Sequence, residues 1–109
     1  METYKLDVLL FKEGDAWVAQ CLQYDVAAQG ENARECMAQL GYVLIGRVIV
    51  AAELGMRHPF ENLPQAPSRF WRRFEKGLEV VPRESLFQIP EGTPPAFMID
   101  PSSVELRID

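Results

Sequence analysis

Cysteine, histidine and basic charge are all scarce in this chain of 109 residues. Each shortage removes a class of function. Two cysteines, Cys21 and Cys36, allow at most one disulfide, which excludes the multiply cross-linked secreted scaffolds of this size. With His58, the one histidine, they are the only soft metal ligands, and none shows the paired spacing of a structural zinc site. No metal and no cofactor is expected, and both thiols read as buried and free. Eleven basic residues stand against sixteen acidic ones, a net charge of −5. A domain that binds nucleic acid by displacing many counterions carries the opposite balance. The start, Met1-Glu2-Thr3-Tyr4-Lys5, has no basic stretch leading into an apolar one. The longest apolar run, Tyr42 to Leu54, is interrupted by Gly46, Arg47 and Glu53 and is too short to span a bilayer. A cytoplasmic protein without a membrane segment is expected.

What is present suits one soluble α+β domain over residues 1–109, with 48% hydrophobic and 25% charged residues. Tyr4, Leu6, Val8 and Leu10 alternate with Lys5 and Asp7, the period of a half-buried strand. Leu9 and Phe11 then make the opposite face apolar too, so its far end must also be covered. Lys12-Glu13-Gly14-Asp15 is a hairpin turn signal. A second strand, Ala16 to Leu22, sets Trp17, Ala19 and Cys21 on one side and Val18, Gln20 and Leu22 on the other. Gln23-Tyr24-Asp25 turns the chain into a brief third strand, Val26 to Gln29, ending at Gly30. Three strands with short connections predict an antiparallel meander.

A long helix follows. Asn32 suits the N-cap, with Glu35 three residues later. Cys36, Leu40, Val43, Leu44, Val48 and Ala51 recur at helical spacing and should face the sheet. A second stripe of Met37, Ile45, Ile49 and Ala52 lies on another side. Covered by the C-terminal segment, that stripe belongs to the core. Left open, Met37, Ile45 and Ile49 form the seam of a homodimer. Gly55 can end the helix in the left-handed conformation. The internal Gly41 and Gly46 read as points of close backbone packing.

The second half, residues 56–109, is a proline-punctuated extension of the residue 1–55 core. Pro59, Pro64 and Pro67 make His58 to Ala66 an irregular connection. Ser68 then caps a short helix, Arg69 to Lys76, stopped by Gly77, with Phe70, Trp71 and Phe74 as anchors. Leu78 to Val81 is extended. Pro90, Pro94 and Pro95 precede two apolar runs, Ala96 to Ile99 and Val104 to Ile108, which read as a terminal hairpin around Asp100-Pro101-Ser102-Ser103.

The order Trp17-Val18-Ala19-Gln20-Cys21-Leu22, then Tyr24-Asp25, then Ala27-Ala28-Gln29-Gly30 running into Asn32 and the long helix resembles the HicB-like family, the antitoxins of bacterial and archaeal toxin–antitoxin pairs and their stand-alone relatives. The resemblance covers roughly residues 4–55. It implies a partial ribonuclease H-like fold: a three-stranded antiparallel sheet, one long packed helix and usually a further strand. It also implies a dimeric, non-enzymatic protein that binds a small RNA-cleaving toxin and covers its active surface. Such antitoxins often carry a C-terminal DNA-binding module. Residues 56–109 hold all eight prolines and one short helix, so DNA binding is not expected.

Three groups of residues carry candidate chemistry. Ribonuclease H activity needs about four carboxylates around two metal ions. Asp7 and Asp25 lie near the sheet, with Glu35 and Glu53 on the helix, but Asp7 should face solvent and Asp25 fits a turn. A Cys–His nucleophile pair requires His58 beside a thiol. Cys36 lies at the other end of the helix, about 30 Å away along its axis, which leaves Cys21. Last, Arg69-Phe70-Trp71-Arg72-Arg73-Phe74-Glu75-Lys76 interleaves basic and aromatic residues. Either its aromatics dock on the core and its cations are solvated, or Arg69, Trp71, Arg72 and Arg73 bind a partner, by contact with phosphate or an acidic surface. A small-molecule or nucleic-acid-binding role, or a stand-alone oligomeric one, is the alternative to toxin binding.

Overall fold

Strands β1 (Leu6–Glu13) and β2 (Ala16–Cys21) pair antiparallel from Val8↔Cys21 to Glu13↔Ala16. Two residues close this hairpin, and Gly14 takes the positive φ of +62° that such a turn needs. β3 (Val26–Gly30) continues the meander beside β2. The computed structural model describes residues 5–61, 63–80 and 104–109. Its remaining elements are helices α1 (Ala33–Glu53) and α2 (Ser68–Lys76) and strands β4 (Leu78–Val80) and β5 (Val104–Ile108).

The sheet is larger than three antiparallel strands. Among the described residues, five strands lie in the order β3-β2-β1-β5-β4, and β5 runs parallel to β1. Alternation along Val104 to Ile108 identifies a strand but not its neighbour, which is why the amino-acid order suggests three strands with a separate hairpin. β5 has β1 on one side and β4 on the other, with Val80 opposite Leu106 and Leu78 opposite Ile108. The Ala96 to Ile99 half of the expected hairpin lies outside the described residues.

β1 is apolar on both faces because each face carries a layer. On the inner face Leu6, Val8 and Leu10 pack with Ala19, Cys21, Leu106 and the buried side of α1. On the outer face Leu9 and Phe11 meet Val18, Leu22, Ala66 and Phe74, with Phe70 and Trp71 at the margin. α2 is therefore the cover that Leu9 and Phe11 require.

α1 begins where Asn32 Oδ1 accepts the Glu35 N–H at 2.8 Å. It ends in a Schellman motif: the Gly55 N–H donates to the Ala52 carbonyl and the Met56 N–H to the Ala51 carbonyl, with Gly55 at φ +68°. Ser68 is the first residue of α2 rather than its cap, and Pro67 holds the N-cap position. The C-terminus of α2 is satisfied from β5, where Arg107 donates to the carbonyls of Phe74 (3.2 Å) and Glu75 (3.3 Å). Its guanidinium also lies 4.7 Å from the Phe74 ring centre. The irregular connection passes around the end of the sheet from one layer to the other. Phe60 is buried in the inner cluster and Ala66 in the outer one. Hydrogen bonds from the Asp25 N–H to Pro64 (2.8 Å) and from the Ala66 N–H to Leu22 (2.9 Å) tie it to the β2–β3 turn.

Two glycines have opposite surroundings. A Cβ on Gly30 would lie 2.5 Å from the Cys36 nitrogen, so the first turn of α1 can rest on the end of β3 only if this residue is glycine. A Cβ on Gly46 would meet nothing within 4 Å, so the close packing expected at that position is absent. In urea unfolding, Gly30→Ala should destabilise by about 1–3 kcal/mol through overpacking. Gly46→Ala should stabilise by about 0.5–1 kcal/mol through helix propensity.

Candidate functional site

The outer end of β1 and β2 gathers the polar side chains nearest to an enzyme-like arrangement. Asp7 is buried, at 8% exposure, rather than solvent-facing. Its position opposite Leu22 places it at the edge of the layer that α2 covers. Gln23 holds it twice: the Asp7 N–H donates to Gln23 Oε1 at 2.7 Å, and Gln23 Nε2 donates to Asp7 Oδ2 at 2.6 Å. Asp25 is exposed and accepts from Gln20 Nε2 at 2.9 Å. Each aspartate thus has its own glutamine. β5 brings Glu105 into register with Asp7, a neighbour that only the parallel pairing reveals. Glu105 is itself paired with Arg107 at 3.0 Å. Among the described residues, no group of three or more His, Cys, Asp or Glu side chains converges as a metal site. Glu35 and Glu53 lie at opposite ends of α1 and do not join Asp7 and Asp25. Glu35 lines a separate shallow cleft of about 320 Å³ with Asp15, Gly30 and Glu31.

The thiols are set against nucleophilic chemistry. Cys21 and Cys36 are free and fully buried. Burial pushes each thiol up to about 11, the reverse of what an attacking cysteine needs. Cys36 Sγ lies 3.2 Å from the Ala33 carbonyl, within the first turn of α1. His58 accepts the Phe60 N–H on Nδ1 at 3.1 Å and sits in an aromatic group with Tyr24 and Phe60, whose rings stack at 4.4 Å. It reads as a loop-building residue.

The basic helix divides into a mounting side and a free side. Phe74 is buried and Phe70 and Trp71 are partly so, with Phe70 stacked on Phe11 at 5.8 Å. Among the described residues, neither the buried Trp71 Nε1 nor Asp7 Oδ1 has a hydrogen-bond partner. Arg73 turns inward as well, 4.3 Å over the Phe11 ring and ion-paired with Asp109. Of the four partner-binding candidates, Trp71 and Arg73 therefore mount the helix on the sheet. Arg69 and Arg72 are exposed, although the Arg69 guanidinium lies 4.7 Å over the Phe70 ring, and Lys76 extends their row one turn further. Ser68 accepts from Arg72 at 3.3 Å.

The second apolar stripe of α1 is not the expected seam. Met37 and Ile45 are buried at 0% and 2% exposure among the core residues, while Ile49 is 38% exposed. Val43, expected to face the sheet, is 43% exposed and lies with Tyr42, Val50 and Leu54 on the outer side. An 18-residue window of α1 has a mean hydropathy of 1.4 and so meets the length and composition of a membrane span, and 44% of that window is buried within this fold, as in the core helix of a globular domain. Compared with protein-family models, curated proteins and solved structures, the chain has no match.

Two measurements check this site. Gln23→Ala leaves the buried Asp7 carboxylate without its side-chain partner and should cost about 1–3 kcal/mol in urea unfolding, against less than about 0.5 kcal/mol for the exposed Asp25→Ala. The thiols supply a pH dependence. They keep their protons in the folded chain up to about 11, while unfolded thiols ionise near 9. Their contribution is complete below pH 9 and is lost as pH rises from 9 to 11. Replacing both by alanine should flatten stability across that window.

Proposed function

We propose that this chain is a HicB-like, non-enzymatic protein-binding module that neutralises a small RNA-cleaving toxin by covering its active surface. The observation that carries the reading is the rigidly mounted row of Arg69, Arg72 and Lys76, exposed on a helix whose aromatics and Arg73 are fixed to the sheet. The mounted helix needs no further backbone ordering on binding, so that only the side chains have to order. The antiparallel β1–β3 meander, the capped α1 packed on it and a further strand beside β1 support the partial ribonuclease H-like relationship that the residue 17–36 pattern suggests. The cationic row would meet acidic groups beside the toxin's active surface, while the rest of the chain, net charge −5 overall, would suit the basic face that an RNA-cleaving protein presents to its substrate. The aspartates, each held by a glutamine, and the suppressed thiols leave binding as the role with the most support.

Affinity capture from the source lysate, with mass spectrometry, should recover a small basic protein near one-to-one. Adding this chain should suppress that partner's ribonuclease activity, and Arg69→Glu with Arg72→Glu should weaken the complex at least tenfold. Recovery of no partner, or of one whose ribonuclease activity is unaffected, overturns the proposal. Salt-dependent binding of single-stranded RNA by the same arginines would support the nucleic-acid alternative instead.

A further inference from the structure

A strand at the edge of a sheet presents a row of unpaired backbone groups, and folds blunt such edges with charge, proline or a bulge. Among the described residues, β3 is one edge of the five-stranded sheet. Its sequence, Val-Ala-Ala-Gln-Gly, has no charge and no proline, and its pairing with β2 runs one to one from Val26 to Gly30 without a bulge. We propose that the β3 edge is a docking site for an extended basic segment of a partner protein, which adds to the sheet as a further strand.

The phase of the ladders shows which groups are open. The Leu22 N–H donates to the Asp7 carbonyl at 2.9 Å, and in an antiparallel pair the hydrogen-bonded positions recur at every second residue. Val18 and Gln20, opposite Phe11 and Leu9, therefore turn their backbone groups to β1, while Trp17 and Ala19 turn theirs to β3. Their partners there are Gly30 and Ala28. The N–H and C=O of Ala27 and Gln29 then point away from the sheet. Burial agrees, since Ala27 and Gln29 are exposed and Val26, Ala28 and Gly30 are half-buried. The Asp25 N–H, just before β3, donates to the Pro64 carbonyl. Beyond it, no described residue pairs with the backbone of Ala27 or Gln29. Ala27 is small, which leaves room for a β-branched side chain beside it.

Charge selects the segment. Asp25 precedes β3 and Glu31 follows it, both exposed. At the Gly30 end the cleft of about 320 Å³ is lined by Asp15, Ala16, Gln29, Gly30, Glu31 and Glu35. Its lining holds three carboxylates and no cation; Arg34 does not take part in it. A strand that follows β3 to this end carries a side chain into the cleft, where lysine or arginine is the matching group. This edge is separate from the Arg69–Lys76 row, which lies on the helix covering β1. The inference does not rest on toxin binding, and its failure leaves that reading as it stands.

The probe is a blocked peptide of alternating lysine and valine, added to the purified full chain, with amide exchange read residue by residue by NMR. Saturation should slow exchange at Ala27 and Gln29 at least tenfold and change Ala28 and Gly30 less than threefold. Ala27→Pro removes an outward N–H without costing a bond inside the sheet, and should weaken binding at least tenfold with the far-UV spectrum unchanged. Ala27→Lys, which leaves the backbone as it is, should weaken binding as much by placing a cation on the edge. Glu31→Lys combined with Glu35→Lys should also cost at least tenfold. The same peptide with every amide N-methylated keeps its charge but cannot pair, and should not bind at about 1 mM. Equal binding of the methylated peptide overturns the proposal, as does binding that leaves exchange at Ala27 and Gln29 unchanged. So does a chain that fails to bind the probe at about 1 mM, including one whose Ala27 and Gln29 amides are already protected because a second copy holds the edge.

Discussion

The two-sided burial of β1 is the constraint on which the rest of the structure depends. A strand with Leu6, Val8 and Leu10 on one face and Leu9 and Phe11 on the other cannot sit at a water-facing sheet surface. It must be central, with a strand on each edge and a layer over each face. β2 and β5 take the edges, and α1 and α2 take the faces. The long connection after α1 follows from the same demand, since the chain must cross from the inner layer to the outer one. It does so around the β2–β3 turn, where Pro64 and Ala66 meet Asp25 and Leu22.

Local signals explain which parts of the fold are legible in the amino-acid order. Alternation identifies β1 to β3, and a capping asparagine and a left-handed glycine mark the ends of α1. The apolar outer residues of β1 already demand a second cover. Pairings between distant segments leave no such trace. Nothing in Val-Glu-Leu-Arg-Ile says that it lies parallel to β1 rather than against a nearby run, and Glu105 beside Asp7 is hidden with it. The same limit applies to α1. Helical periodicity shows that two stripes are apolar, but it does not say which of them the core covers; Met37 and Ile45 are buried, while Val43 and Val50 stay outside. Asp7 is a related case. Its alternation gives the outer face correctly, but only the packed layers show that the covering of that face extends far enough to bury it.

Many of the polar and thiol groups are engaged within the fold itself. Glutamines occupy the aspartates, burial keeps the thiols protonated, and Arg107 serves the end of α2 while pairing with Glu105. Exposed side chains suited to recognition lie on the two helices, as the Arg69–Lys76 row and the outer face of α1. These surfaces are built on regular elements packed against the sheet, which spares the backbone ordering cost of recognition.

The two tryptophans are divided between the layers: Trp17 packs against the inner cluster and Trp71 against the outer. The chain therefore carries one indole for each side of a shared backbone. A slip of β1 by one residue would exchange its two faces, so neither layer can change its register on the sheet without disturbing the other. Loss of the common strand removes the support of both indoles together. Release of α2 alone alters the surroundings of Trp71 and leaves Trp17 in place, so the emission of this small domain distinguishes a detached layer from a lost sheet.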